Sequence, residues 1–99
     1  MQTDDILTLV AYNQWANQRL LSAVRDLLPS EFTRALGTSF GSVKGTVVHI
    51  LDGEWHWLQL WQSKPRNKRP VPEDFADAAA VAEAFPELEQ GQREFVNGL

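Results

Sequence analysis

The chain has 99 residues, a net charge of −4 and no cysteine. This length allows one small domain, and the lack of thiols excludes disulfide bonds, thiolate metal sites and a cysteine nucleophile. The acidic balance argues against general nucleic-acid binding. No apolar run approaches the ~20 residues of a membrane span, and the acidic start is unlike a signal peptide. We therefore expect a cytoplasmic protein that binds neither nucleic acid nor membrane.

The first segment, from about Asp4 to Leu28, is predicted to form a helix. Its apolar residues recur with heptad-like spacing, and Pro29 ends it because the residue before a proline is pushed out of the α region. Asn13 and Asn17 lie four residues apart on this apolar seam. Two interpretations of the pair stay open. The amides fix the packing register of the helix, or they hydrogen-bond to groups near a functional site.

A connection of ordered chain is expected over residues 30–41, with turns at Gly37 and Gly41. Three apolar side chains are expected to pin it to the end of the bundle: Phe32, Leu36 and Phe40. Ser42 is then the predicted N-cap of the helix that follows.

The stretch Ser42–Gln62 is predicted to be the central helix of the molecule. It contains both histidines and three of the four tryptophans, and no proline interrupts it. At 100° per residue its apolar side chains form one broad arc that is expected to face the core. The arc contains Val43, Val47, Ile50, Leu51, Trp57, Leu58 and Trp61. Gly45 and Gly53 each cost about 1 kcal/mol against alanine inside a helix, which indicates close approach by another helix or by a ligand.

Glu54 projects onto the apolar arc of the central helix, where a carboxylate needs a partner. We predict an ion pair between Glu54 and Arg19 of the first helix, in preference to a role as a catalytic acid. Asp52 lies on the opposite side, where it could join either histidine.

The remaining sequence divides into a loop and a helical end. Ser63–Asp74 contains three prolines and four basic residues, Lys64, Arg66, Lys68 and Arg69, and is predicted to be a solvated connector rather than a phosphate-binding patch. From about Asp77 an apolar stripe runs unchanged through Pro86: Val81, Phe85, Leu88, Phe95 and Leu99. This pattern predicts one kinked helix, or two helices of which the second begins at Pro86. The fold class is therefore all-α.

The two histidines, His49 and His56, lie about 10 Å apart along the helix axis. One metal ion cannot bind both at the usual distance of about 2.1 Å from within a single helix. His49 is predicted to face the bundle interior or a cleft and to be the residue suited to bind a metal ion. His56 is predicted to lie at the rim.

Two stretches, YNQWANQRLL (Tyr12–Leu21) and GTSFGSVKGTVVHILDGEWHWLQLWQ (Gly37–Gln62), resemble the DinB/YfiT-like superfamily. The resemblance implies an antiparallel four-helix bundle, often dimeric, with a divalent metal, nickel or zinc, on three histidines. The first of these ligands matches His49. The other two, a pair four residues apart near the start of the last helix, have no counterpart in this sequence. Residues 1–99 are therefore expected to form a single DinB-like domain of three helices that lacks the fourth.

The resemblance implies a metal-dependent enzyme with transferase, isomerase or hydrolase chemistry. Its substrate would be a low-molecular-weight thiol or another small molecule. The alternative is a non-catalytic helical module for dimerisation or interaction. A homodimer is expected in either case, because the missing helix would leave an apolar groove that a second copy can fill.

Overall fold

The computed structural model describes residues 2–65 and 69–99, and it is all-helical over these ranges. The helices are α1 (Thr3–Arg25), α2 (Pro29–Thr33), α3 (Val43–Trp61), α4 (Ala78–Glu83) and α5 (Phe85–Asn97), with a 3₁₀ turn at Pro72–Asp74. The predicted fold class is confirmed. Arg66 and Lys68, two of the basic residues of the predicted connector, lie outside the described ranges.

Local chemistry sets the helix ends. The hydroxyl oxygen of Ser42 accepts the backbone N–H of Gly45 at 2.9 Å, which confirms Ser42 as the N-cap of α3. Pro86 lies in the first turn of α5, where a helix does not need its missing N–H, so the two-helix interpretation is confirmed. Helix α1 ends at Arg25, earlier than expected, and a short helix begins at Pro29 inside the predicted connection.

Helix α5 packs extensively against both α1 and α3. Side chains of α1 meet those of α5 in reverse order along the chain, as in the pairs Gln14 with Gln92 and Gln18 with Glu89. Helix α5 therefore runs antiparallel to α1. Side chains of α1 and α3 face each other across a cleft that α5 also borders.

The core lies between α1, α3, α4 and α5. Its buried apolar residues are Leu21, Val24, Phe32, Val47, Val48, Leu51, Leu58, Val81, Ala82, Phe85 and Leu88. Three members of the C-terminal stripe, Val81, Phe85 and Leu88, are at most 1% exposed within the single chain. These three residues therefore need no second copy to cover them, because α1 and α3 pack against α4 and α5.

The apolar arc predicted for α3 is only partly correct. Val47, Leu51 and Leu58 are buried, but Trp57 is 57% exposed and Trp61 is 44% exposed. Trp55, which the arc omitted, packs against the core instead. The buried side of α3 is thus rotated away from Trp57, because α5 and the 3₁₀ turn pack on one flank of the helix and leave the other flank open.

The two glycines of α3 lie in different surroundings. A Cβ atom on Gly45 would lie 2.0 Å from the carbonyl oxygen of Phe40, whereas a Cβ atom on Gly53 would meet nothing within 4 Å. Close approach occurs at Gly45, but the partner is the backbone of the preceding loop rather than another helix. Among the described residues, no helix approaches Gly53 closely.

Alanine substitutions should therefore act in opposite directions. Gly45→Ala should lower the free energy of unfolding by about 1–3 kcal/mol, because the backbone of Phe40 must move. Gly53→Ala should raise it by up to about 1 kcal/mol through helix propensity alone. Urea denaturation of both variants measures the difference, and stabilisation by Gly45→Ala would contradict the contact.

Candidate functional site

Glu54 is half-buried on α3 and is held by three side-chain amides. Its Oε1 accepts Asn13 Nδ2 at 2.8 Å and Gln92 Nε2 at 3.0 Å, and its Oε2 accepts Asn17 Nδ2 at 2.7 Å. We call these four residues the amide cluster. It joins α1, α3 and α5 at one point.

The predicted ion pair between Glu54 and Arg19 is wrong. The Arg19 guanidinium lies 5.0 Å from the ring centroid of Trp15, in a cation–π contact on the outer surface of α1. Residues two apart on a helix point to different sides, so Arg19 turns away from the carboxylate that Asn17 reaches. The two asparagines hydrogen-bond to the Glu54 carboxylate, and these bonds tie α1 to α3, as the packing interpretation held.

A second set of polar side chains continues the amide cluster into the interior. Gln14 donates to the backbone oxygen of Glu89 at 2.9 Å and to Gln92 Oε1 at 3.0 Å. Its own oxygen accepts the Arg93 guanidinium at 2.9 Å, and Gln18 donates to the Glu89 carboxylate at 2.9 Å. Because buried polar groups are costly when unpaired, this connected network fixes the packing of α1 on α5.

Glu89 is the most perturbed acid of the described chain. Burial raises the pKa of its carboxyl group above the usual value, and the neighbouring negative charge of Glu54 adds to the rise. The hydrogen bond from Gln18 and the positive charge of Arg93 oppose it without cancelling it. The carboxylates of Glu54 and Glu89 thus lie near each other, and Arg93 is a cation near Glu89.

The amide cluster borders a cleft of about 330 Å³ between α1 and α3, which we call the α1–α3 cleft. Its lining is Ile6, Leu9, Val10, Asn13, Glu54, Trp57, Trp61 and Gln92. Apolar and aromatic side chains therefore surround a few polar groups. This is the usual composition of a small-molecule site.

His49 does not lie as predicted. His49 is exposed, with its ring stacked on Phe40 at 4.0 Å between centroids, whereas His56 is half-buried and meets Trp57 edge-on at 5.7 Å. The predicted interior position of His49 is wrong because His49, Gly53 and Trp57 follow one another at intervals of four residues, on the flank of α3 that leaves the core.

A divalent metal, as the resemblance implies, would need more ligands than His49. No group of three His, Cys, Asp or Glu side chains that could hold a metal ion occurs among residues 2–65 and 69–99. The imidazole of His49 is accessible and is one suitable donor, but these residues do not form a complete metal site.

Asp52 has a structural partner in the C-terminal connector. It is 8% exposed and forms a two-point ion pair with Arg69, whose guanidinium donates at 3.2 Å through Nε and at 2.5 Å through a terminal nitrogen. The hydrogen bond from Arg69 to Asp52 and the charge of Asp52 raise the pKa of Arg69. Asp52 therefore fastens this end of the connector to α3. Sequence reasoning placed Asp52 beside a histidine because α3 alone offered no other partner.

A family model and a curated relative match this chain. The model of the DinB family matches residues 1–95, so the chain belongs to the DinB family. It is 24% identical over 85 residues to Protein DinB of Bacillus subtilis (strain 168), an alignment that covers 86% of this chain and 44% of the relative. The chain thus spans less than half the length of the curated relative it matches. No solved structure matches it significantly. None of the helices in the described part of the chain is long and apolar enough to cross a membrane.

The raised pKa of Glu89 predicts a pH dependence that can be isolated by substitution. Because the folded state holds this proton more tightly than the unfolded state, wild-type stability loses a contribution as pH rises through the folded pKa. Glu89→Gln keeps an acceptor for Gln18 and removes the charge. The unfolding free energy of the variant minus that of the wild type should therefore increase from about pH 4.5 to about pH 7, so the variant gains stability relative to the wild type.

Glu83→Gln is the matched control, because Glu83 is exposed at the end of α4. Its difference from the wild type should change little over the same pH range. Urea denaturation at several pH values measures both variants. If the unfolding free energy of Glu89→Gln decreased relative to the wild type as pH rises, the raised pKa of Glu89 would be contradicted.

Proposed function

We propose that this chain is an assembly-dependent part of a DinB-type metal protein. The observation that carries the proposal is a set of exposed apolar side chains on the two helices that flank the α1–α3 cleft. We call this set the open face: Leu9, Leu20, Trp57, Leu60 and Trp61. Each is at least 38% exposed. An apolar surface of this kind marks an interaction site.

A second copy of the chain is the proposed occupant of the open face. Tryptophan is among the residue types that supply most of the binding energy in protein interfaces, and two of the five residues are tryptophans. A two-fold axis would pair the open face with itself and leave no unsatisfied surface. Since Val81, Phe85 and Leu88 of the C-terminal stripe are covered within the chain, the association involves α1 and α3 rather than α5.

His49 is the proposed metal ligand contributed by this chain. Its imidazole is exposed on the flank of α3 that also carries Trp57, so an added helical layer can bring further ligands to it. Nickel or zinc bound there would supply Lewis-acid chemistry and stabilise a thiolate, which suits transfer, isomerisation or hydrolysis of a low-molecular-weight thiol substrate. A cytoplasmic location fits a chain without cysteine.

A second candidate function is a non-catalytic interaction module. It is favoured by the amide cluster, in which Glu54 is committed to hydrogen bonds that join three helices rather than to chemistry. In that case association through the open face is itself the function. The two candidates differ in whether His49 binds a metal.

Self-association should appear in sedimentation equilibrium at micromolar concentration, with a mass that rises above the 11.2 kDa of one chain. Leu60→Glu should shift the curve toward monomer, because it places a charge in the apolar interface. Leu99→Glu, at an exposed position outside the open face, should leave it unchanged. A wild-type monomer at every concentration, or equal effects of the two substitutions, would contradict the assembly.

Metal binding should depend on His49 and not on His56. In titrations with Ni²⁺ or Zn²⁺ alone, His49→Ala should weaken the apparent affinity at least about tenfold, which is the smallest loss usual even for residues that only support a ligand. His56→Ala should preserve it. Equal losses in both variants would exclude His49 as the specific ligand, and the absence of binding to the wild-type chain would favour the interaction module.

A further inference from the structure

The carboxylate of Glu54 has amide donors but no cation among its hydrogen-bond partners in the described chain. A carboxylate offers about four acceptor positions. Asn13 and Gln92 occupy the two of Oε1, and Asn17 occupies one of Oε2. One acceptor position of the carboxylate is left, and Glu54 lines the α1–α3 cleft.

The electrostatics near this acceptor favour a positive charge. The three amides orient Glu54 but leave its negative charge in place, and the carboxylate of Glu89 lies close enough for the two to repel. The described cations on the adjacent faces have other partners. Arg93 donates to Gln14, and Arg19 stacks on Trp15. A half-buried carboxylate without a counter-ion gains most from a cation that is delivered by a ligand.

The walls of the cleft determine what kind of cation fits. Trp57 and Trp61 stand on one side, and Ile6, Leu9 and Val10 stand on the other. Aliphatic and aromatic side chains bury the apolar body of a ligand, and indole rings also attract a positive charge over their faces. A metal ion or a small hydrated cation would gain nothing from these walls. An organic ammonium ion with an apolar body uses both the walls and the carboxylate.

We propose that the α1–α3 cleft is a binding site for an organic ammonium ion. The ammonium group donates to the Glu54 carboxylate, and the apolar body packs against Trp57, Trp61 and the α1 side chains opposite. The site does not depend on a metal at His49. The cleft shares Leu9, Trp57 and Trp61 with the open face, so a bound ligand would lie between the two copies of the proposed assembly.

The test compares two ligands of nearly the same shape that differ in charge. Calorimetric titration of the wild-type chain with 2-phenylethylamine at neutral pH should show saturable binding at least about tenfold tighter than with 2-phenylethanol, because only the amine pairs with a charged acceptor. Glu54→Gln should abolish the preference for the amine. Glu83→Gln, which changes net charge equally outside the cleft, should retain it.

Three results would overturn the proposal: equal affinity of the wild type for amine and alcohol, no saturable binding of the amine, or the same loss in both variants. Cooperative thermal unfolding of Glu54→Gln checks that the variant is folded. If the variant is not folded, the ratio of the wild-type affinities for the amine and the alcohol decides whether the proposal holds. Sedimentation of the same samples shows separately whether the proposed assembly forms, so failure of one proposal is distinguishable from failure of the other.

Discussion

A single carboxylate, held by amides from two other helices, is the contact on which the arrangement of this molecule depends. Glu54 of α3 accepts Asn13 and Asn17 of α1 and Gln92 of α5. Apolar packing alone would let the helices slide, because it is non-directional. Hydrogen bonds to fixed oxygen positions prevent such sliding, because an unsatisfied donor here would cost about 1–3 kcal/mol. The amide cluster therefore sets the register of α1 against α3.

The same contact explains why a cleft exists. The core lies between α1, α3, α4 and α5, while the amide cluster lies where α1, α3 and α5 meet, at the edge of the α1–α3 cleft. Beyond it, Leu9 and Trp57 remain accessible. The features that suit a functional surface, namely the open face, the cleft and the exposed His49, thus share one side of the molecule.

Much of the fold could be predicted from the sequence, since it depends on local chemistry. The caps at Ser42 and the break before Pro86 follow from side-chain hydrogen bonding and from the missing proline N–H, and both are confirmed. The site was less predictable. Periodicity placed Glu54 on the inner side of α3 but could not tell an arginine partner from asparagines two residues away on α1. The signal was present in the spacing of Asn13 and Asn17.

Burial around α3 could not be predicted because it depends on which flank the neighbouring helices cover. The sequence makes Trp57 and Trp55 equally apolar, but Trp55 packs against the core whereas Trp57 is exposed. His49 is exposed for the same reason, and Asp52 is buried because Arg69, distant in sequence, reaches it.

The most direct test of this account is a double-mutant cycle between Glu54 and Asn17. Unfolding free energies of Glu54→Ala, Asn17→Ala and the double variant, each measured by urea denaturation, give the coupling between the two side chains. If the amide cluster fixes α1 against α3, the coupling energy should be at least about 1 kcal/mol, within the range found for residues in one hydrogen-bond network. Additivity to within about 0.3 kcal/mol would show that the two residues act independently and would contradict the account.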